Sequence, residues 1–337
     1  MKPIGCLAAT WMAVLFGLTT GPVRAIVPQY TVGADGVRLA GVDADNPIIY
    51  DNDWWTDVFD AYYIWAQAAL GKANLRGNIV SRDMWDHPAY KYTTDRCVQD
   101  ARKAIELARR SGLRNIPDLI LGSDRVLDPP ASGRIEDTIP YPSDGSRLIV
   151  QEARKASAEK PLVIVVGGPL TTVANALLTN PEIGPNIVVF GLTVSYYGYN
   201  GKDGWSTYIV SQRARLVEWA TRSFWDRNSV FRAEHFDSLP RNPLCDEMRR
   251  FIRTDLGQAN QLGDGAPLVW MFHNPCWRGA RVRKAVWRGK ATDFVEVKDG
   301  EVGDVLDIPR DQTDLAACRE EFFRVMSNPQ IFGTKVK

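Results

Sequence analysis

The chain has 337 residues, and its 41 Lys and Arg against 40 Asp and Glu leave a formal net charge of +1. So even a balance supplies no general attraction to nucleic acid or to an anionic membrane surface. A hydrophobic content of 45% is that of an ordinary globular protein, and the length suits one large α/β domain or two smaller ones.

The first residues read as an export signal rather than as part of the fold. Met1-Lys2 supplies a positive charge, Leu7 to Leu18 is apolar, and Val23-Arg24-Ala25 is an acceptable cleavage site. The signal peptide is expected over 1–25, with a mature start near Ile26 and a periplasmic or extracellular destination. The apolar run is short for a membrane span. Cys6 has no apolar run before it, so it does not resemble a lipid-attachment cysteine. Residues 26–46 form an arm broken by Gly33, Gly36 and Gly41, and 47–337 form the catalytic domain.

The domain opens on Asn46-Pro47-Ile48-Ile49-Tyr50-Asp51-Asn52-Asp53-Trp54-Trp55-Thr56-Asp57-Val58-Phe59-Asp60. Ile48 to Tyr50 reads as a buried strand and Val58 to Leu70 as a helix closed by Gly71, so four carboxylates fall where a strand ends and a helix begins. In open α/β sheets that edge is where ligands bind. Asp51 and Asp53 point the same way if extended, and Asp57 and Asp60 share a helix face. Four crowded acids repel unless a cation sits among them, and a hard cation with oxygen ligands, Ca²⁺ or Mg²⁺, does this. Helix capping alone would account for one or two of them.

Further along, Leu75 to Val80 reads as a strand, Ser81 to Tyr92 as an aromatic and polar loop containing Trp85 and His87, and Thr94 to Ser111 as a helix. Pro117 to Leu121 is a short strand. Asp128 to Ser143 is a Pro-rich loop of the length used for binding loops. A helix is expected over Gly145 to Ala158. Pro161 to Val166 reads as a buried strand, its Leu162 to Val166 apolar without alternation as in a central parallel strand, and runs into Gly167-Gly168-Pro169-Leu170-Thr171-Thr172 and a helix to Leu178. Ile187 to Phe190 reads as a strand and Ser211 to Arg222 as a helix. Arg281 to Asp307 carries β-like pieces with a Lys298-Asp299-Gly300 turn, and Ala316 to Met326 is a closing helix. Strands alternating with helices predict a single doubly wound, Rossmann-like, mostly parallel α/β sheet flanked by helices. The basic run Trp277 to Lys290 reads as a solvated face in a neutral chain.

Four cysteines follow the signal: Cys97, Cys245, Cys276 and Cys318. In an exported chain they would make up to two disulfides, with three pairings open, or stay as buried thiols. There is no CxxC to suggest a zinc or redox site.

With the acid cluster and the Gly167 stretch together, the chain resembles the nucleoside hydrolases, the inosine–uridine-preferring N-ribohydrolases, over almost its whole mature length. Asp51, Asp53, Asp57 and Asp60 keep four positions of the family's opening aspartate cluster. Ile116-Pro117 with Gly122-Ser123-Asp124-Arg125-Val126-Leu127, the stretch Val165 to Ala174, Val188-Val189-Phe190-Gly191 with Gly198-Tyr199-Asn200, and Leu262-Gly263-Asp264-Gly265 follow in family order. The resemblance implies a bound Ca²⁺ held by Asp53, Asp60, Asp264 and the Gly167 carbonyl, with Asp57 nearby, and Asp53 as general base on a metal-held water. It implies a small-molecule nucleoside or related ribosyl substrate, neither nucleic acid nor membrane as partner, and leaves room for a homo-oligomer.

Departures from the family pattern fall on the sugar. Phe59 stands where the family has an aspartate that contacts a sugar hydroxyl, Trp55 replaces a glycine, and Gly263 replaces a late histidine. Asn200 matches an asparagine that contacts the far hydroxyl, while the Glu-x-Asn that follows in the family has no good partner. Candidate substrate contacts are therefore Asn200, Phe59, Trp55, Trp85 and His273, with Trp54 and the aromatic rings suited to stacking. Two alternatives use the same residues. Asp51-x-Asp53 after a strand is similar to the haloacid-dehalogenase phosphatase motif, with Asp51 as nucleophile and Mg²⁺ as cofactor. A non-catalytic sugar- or nucleoside-binding protein on the same scaffold would also fit the departures.

Overall fold

The computed structural model describes residues 27–54, 59–82, 94–192, 202–219, 231–254, 259–260, 271–272 and 274–333. A hairpin of β1 (Tyr30–Gly33) and β2 (Gly36–Leu39) occupies the arm, with Gly36 at φ 88° where a side chain would strain the turn. The arm is thus an ordered hairpin, with Val37 and Leu39 buried in the core.

Then come β3 (Pro47–Asn52), α1 (Phe59–Ala69), β4 (Asn74–Val80), α2 (Thr94–Arg110), β5 (Leu119–Leu121), α3 (Asp144–Ala153), β6 (Leu162–Val166), α4 (Thr171–Thr179), β7 (Ile187–Leu192), α5 (Gly204–Arg213) and β8 (Arg215–Trp219). The chain continues through β9 (Phe231–Arg232), α6 (Pro243–Thr254), β10 (Ala259–Asn260), β11 (Arg281–Trp287), β12 (Thr292–Glu296), β13 (Val305–Ile308) and α7 (Leu315–Met326).

Among the described residues nine strands form the main sheet, in the order β12-β11-β13-β8-β7-β6-β3-β4-β5. From β13 to β5 every neighbour is parallel, and β11 pairs antiparallel with both β12 and β13. The order reverses at β3. The chain first grows outward through β4 and β5, then returns to place β6 on the other side of β3. The crevice at the carboxyl ends of β3 and β6 is therefore the topological switch point, the ligand-binding place of open α/β sheets.

Alternation along the central strands divides the core. Ile48, Tyr50, Val163, Val165, Val188, Phe190 and Val217 face one layer, with α1, α2, α6 and α7. Ile49, Ile164, Val166, Val189 and Leu216 face the other, with α3, α4 and α5. Both faces of the parallel strands are buried, which is why they read as unbroken apolar runs.

Three expectations are corrected. Ser211 to Arg222 is not one helix, because α5 ends at Arg213 and Arg215–Trp219 is a central strand. Arg-Leu-Val-Glu-Trp tolerates either state locally, but pairing with β7 and β13 decides it. The buried Arg215 guanidinium satisfies the carbonyls of Ile187, Ala158 and Pro185. The turn at Lys298–Glu301 exists, but it does not join a hairpin, since β12 and β13 lie on opposite sides of β11. The third correction adds α6, whose apolar residues Leu244, Cys245, Met248 and Ile252 are buried; the sequence reading assigned no helix there.

The basic run along β11 is largely neutralised within the chain. Arg281 and Arg283 both reach the buried Asp307, and Arg288 pairs with Asp293.

Phe59 lies at the start of α1 and is 1% exposed. Its ring centroid is 5.1 Å from that of Phe236, 5.6 Å from Phe231 and 6.2 Å from Phe322. The ring therefore belongs to an aromatic cluster tying α1 to β9 and α7. Phe59→Ala is expected to lower unfolding free energy by about 3–5 kcal/mol in urea titrations. A loss below about 1 kcal/mol would show that the ring does not hold this core.

Candidate active site at the switch point

Asp51 and Asn52 close β3, and Asp53 follows as the chain leaves the sheet. The next residue, Trp54, has φ 57°, a left-handed conformation that costs a bulky residue of order 1–3 kcal/mol. Several contacts offset that cost. The Trp54 amide donates to Asn52 Oδ1 at 2.6 Å, and its indole stacks on Trp65 at 5.6 Å and meets Tyr50 edge-on at 5.9 Å. Aromatic pairs contribute about 0.5–1.5 kcal/mol each beyond the burial of the ring itself. The turn re-aims the chain, leaving Asp53 buried at the sheet edge and Asp60 in the first turn of α1. Trp54 is thereby a buried packing residue.

Asp60 accepts a hydrogen bond from the Tyr50 hydroxyl at 2.6 Å. A carboxylate in a first helical turn is also favoured by the helix dipole. On the other side of the crevice, the Gly167 amide donates to the Asp51 carbonyl at 2.9 Å, extending the β3–β6 pairing by one residue. Gly168 packs directly on the strand end. A Cβ there would stand 3.1 Å from the Asp53 amide nitrogen and 3.3 Å from the Asp53 Cβ. The Gly-Gly pair lets the β6 turn approach Asp53 this closely.

Behind these acids lies a buried polar network that the sequence reading did not identify. Ser81, at the end of β4, donates to Asp51 Oδ1 at 2.6 Å and lies 3.0 Å from the Thr172 hydroxyl. Thr172 also accepts from the Ser123 amide, and Asn175 donates to the Ser123 hydroxyl while accepting from the Tyr141 amide. Thr171 donates to Asp203. Burial pushes the Asp51 carboxyl up to about 7, against the bond from Ser81, and pushes Asp203 up to about 7 as well, against the bond from Thr171. The one local hint was Thr171-Thr172 after a glycine turn, at the start of a helix. Asp203, before Gly204, looks like a turn residue, and only the fold brings it to Thr171.

Of the expected site residues, Asp53, Asp60, Phe59 and Gly167 are described. Gly167 bonds to the Asp51 carbonyl and its neighbour Gly168 packs on Asp53, with Asp60 on the helix that follows, whereas the Phe59 ring is turned into the aromatic core. Trp55, Asp57, Trp85, Asn200, Asp264 and His273 lie outside the described residues, as does His87. Among the described residues no three His, Cys, Asp or Glu side chains gather as a metal site would require. Described Cys97, Cys245, Cys276 and Cys318 are buried free thiols, so neither expected disulfide is formed in this structure. Among the described residues no helix is long and apolar enough to cross a membrane.

This sheet, its switch-point crevice and its two helical layers define an α/β protein with the nucleoside hydrolase fold. A plant nucleoside hydrolase superposes with a TM-score of 0.59 at 14% identity, over 84% of this chain and 99% of its own. A purine-preferring ribonucleoside hydrolase from Gardnerella vaginalis gives 0.60 at 14% identity, over 86% of this chain and 100% of its own. A type III effector, XopQ, solved with adenosine diphosphate ribose gives 0.53 at 12% identity, over 85% of this chain and 94% of its own. Likeness at these identities is a likeness of fold. No family model and no curated protein sequence matches the chain.

Asp203 offers a test of the buried network. Its folded pKa of about 7 lies above the unfolded carboxylate value of 3.8, so the stability it contributes as a neutral group is complete below pH 3.8 and lost as pH rises through 7. Asp203→Asn should therefore match the wild type near pH 4. Near pH 8 it should exceed the wild type by up to about 4 kcal/mol in urea unfolding. Equal pH profiles for the two proteins would show that Asp203 is not a buried neutral acid.

Proposed function

We propose that the chain is an exported Ca²⁺-dependent hydrolase that cleaves the N-glycosidic bond of nucleosides or related ribosyl compounds. The observation that carries this reading is the position of Asp53, a buried carboxylate at the switch point with its backbone against Gly168. The fold-sharing structures add support, since two are described as nucleoside hydrolases and a third was solved with a ribose-containing ligand.

The donor chemistry suits a hard cation. Buried carboxylates are costly unless a positive charge or hydrogen bonds compensate them, and Asp53 and Asp60 are both buried. Asp53 and Asp60 would supply carboxylate oxygens and Gly167 its carbonyl. Asp57 and Asp264 are the residues proposed to complete the six to eight oxygens that Ca²⁺ takes. When bound, the ion would supply a Lewis acid that lowers the pKa of a water.

The steps on the chain's own residues follow. Asp53 accepts a proton from the attacking water, whose oxygen bonds to the anomeric carbon as the N-glycosidic bond breaks, the base leaving with the bonding pair and taking a proton from solvent. The Tyr50 hydroxyl keeps Asp60 in one orientation. Ser81 holds Asp51 behind Asp53. Because the Phe59 ring is in the core, contacts to the sugar and leaving group fall to Asn200, Trp55, Trp85 and His273 in this reading.

The Phe59 packing also favours a second reading, a protein that binds a ribosyl compound without turnover, because a sugar-contacting carboxylate is missing. The phosphatase alternative loses its support. Asp51, its nucleophile, accepts a bond from the Ser81 hydroxyl, which ties it into the buried Ser81–Thr172 network.

Mature protein incubated with inosine, uridine and p-nitrophenyl riboside should release ribose with Ca²⁺ and stop with EDTA. Asp53→Ala should lower the rate by about 10²–10⁴-fold, the usual contribution of a general base. Ca²⁺ and ribose binding by calorimetry with no ribose release would select the binding reading. Release unaffected by EDTA would reject the metal-dependent one.

A further inference from the structure

We propose that Cys276 and Cys318 are the redox-active pair of this chain and form a single disulfide, while Cys97 and Cys245 remain thiols. Cys276 ends a short 3-10 turn, Asn274–Cys276, and Cys318 lies in the first turn of α7. Both are buried, and Cys276 acts together with burial to raise the Cys318 thiol, as a neighbouring thiol does.

The backbone around them is zipped together. Asp314 donates its amide to the Cys276 carbonyl at 2.6 Å, Arg278 donates to the Gln312 carbonyl at 2.6 Å, and Trp277 forms an antiparallel bridge with Thr313. The Cys318 amide bonds to the Asp314 carbonyl at 3.0 Å, placing Cys318 one helical turn beyond the zipped segment. Main-chain hydrogen bonds from Asp314 to Cys276 and from Cys318 to Asp314 thus hold the two cysteine-bearing segments side by side, the backbone proximity that a disulfide needs.

The other two cysteines are held apart. The Leu244 amide bonds to Ser111 at 2.9 Å and Lys103 bonds to Glu247 at 2.7 Å, so α2 and α6 run antiparallel. Cys97 near the start of α2 and Cys245 near the start of α6 therefore lie at opposite ends of that pair. The pairing that composition leaves open is thereby reduced to one.

Oxidation joins the two sulfurs, releases two protons and passes two electrons to a disulfide oxidant such as oxidised glutathione, which leaves as two thiols. Burial keeps the native thiols away from such an oxidant, so the exchange takes place as the chain folds or locally opens. The bond closes a loop containing β11, β12 and β13, the antiparallel edge of the sheet, and so restricts the unfolded chain.

Full-length mature chain, refolded in a mixed oxidised and reduced glutathione buffer, would be alkylated without reduction, digested and mapped by mass spectrometry. The expected result is one linked peptide pair containing Cys276 and Cys318, with Cys97 and Cys245 alkylated. Reduction with dithiothreitol should lower Tm by about 5 °C. Cys276→Ser should abolish that dependence on reductant and Cys97→Ser should keep it. Should Cys276→Ser not fold, the wild-type map alone decides. Four alkylated cysteines at the most oxidising poise, or a bond through Cys97 or Cys245, would overturn the proposal.

Discussion

The approach of Gly168 to the backbone of Asp53 is the constraint on which the site depends. Two parallel strands, β3 and β6, run side by side because both of their faces are covered by helices. Their chains then leave in different directions at the point where the sheet order reverses. A crevice opens there, and its walls are an acid-bearing turn and a glycine turn in contact. A side chain at Gly168 would press on the strand end and shift Asp53. The left-handed Trp54 completes the arrangement, since its indole, wedged between Trp65 and Tyr50, compensates a strained turn that directs the chain into α1.

Electrostatics around that crevice are arranged in two tiers. Asp53 follows the end of β3 and Asp60 lies in the first turn of α1, both buried, and the Tyr50 hydroxyl orients the second of them. Behind lie Asp51 and Asp203, raised by burial and held through Ser81 and Thr171. The hydroxyl and amide network of Ser81, Ser123, Thr172 and Asn175 connects β4, the turn after β5 and the start of α4. Such a network fixes side chains that a solvated surface would leave free, because each buried donor must find its acceptor.

Much of this was legible in the residues. The apolar run Leu162 to Val166 declared a central strand, and the acids after Tyr50 were expected at a strand end, where Asp51 and Asp53 lie. Both signals are local, since they depend on periodicity and on charge crowding. What escaped is what depends on tertiary pairing. Arg215 to Trp219 has no local preference strong enough to name it, and becomes a strand because β7 and β13 flank it. Asp203 and Ser81 look ordinary in sequence and acquire meaning only where the sheet brings them to Thr171 and Asp51. Phe59 is instructive in the other direction. Its place in the aspartate cluster suggested the sugar, yet an aromatic side chain on the inner face of α1 finds Phe231, Phe236 and Phe322, and burial decides its position.

The account stands on the claim that the crowded acids at the end of β3 exist to hold a cation beside the Gly167 turn. The most direct measurement is a crystal structure of the mature chain grown with Ca²⁺, with the ion located by anomalous scattering. The account predicts a cation about 2.3–2.6 Å from carboxylate oxygens of Asp53 and Asp60 and from the Gly167 carbonyl. Ordered water alone in that crevice at saturating Ca²⁺, or a cation bound elsewhere, would contradict it.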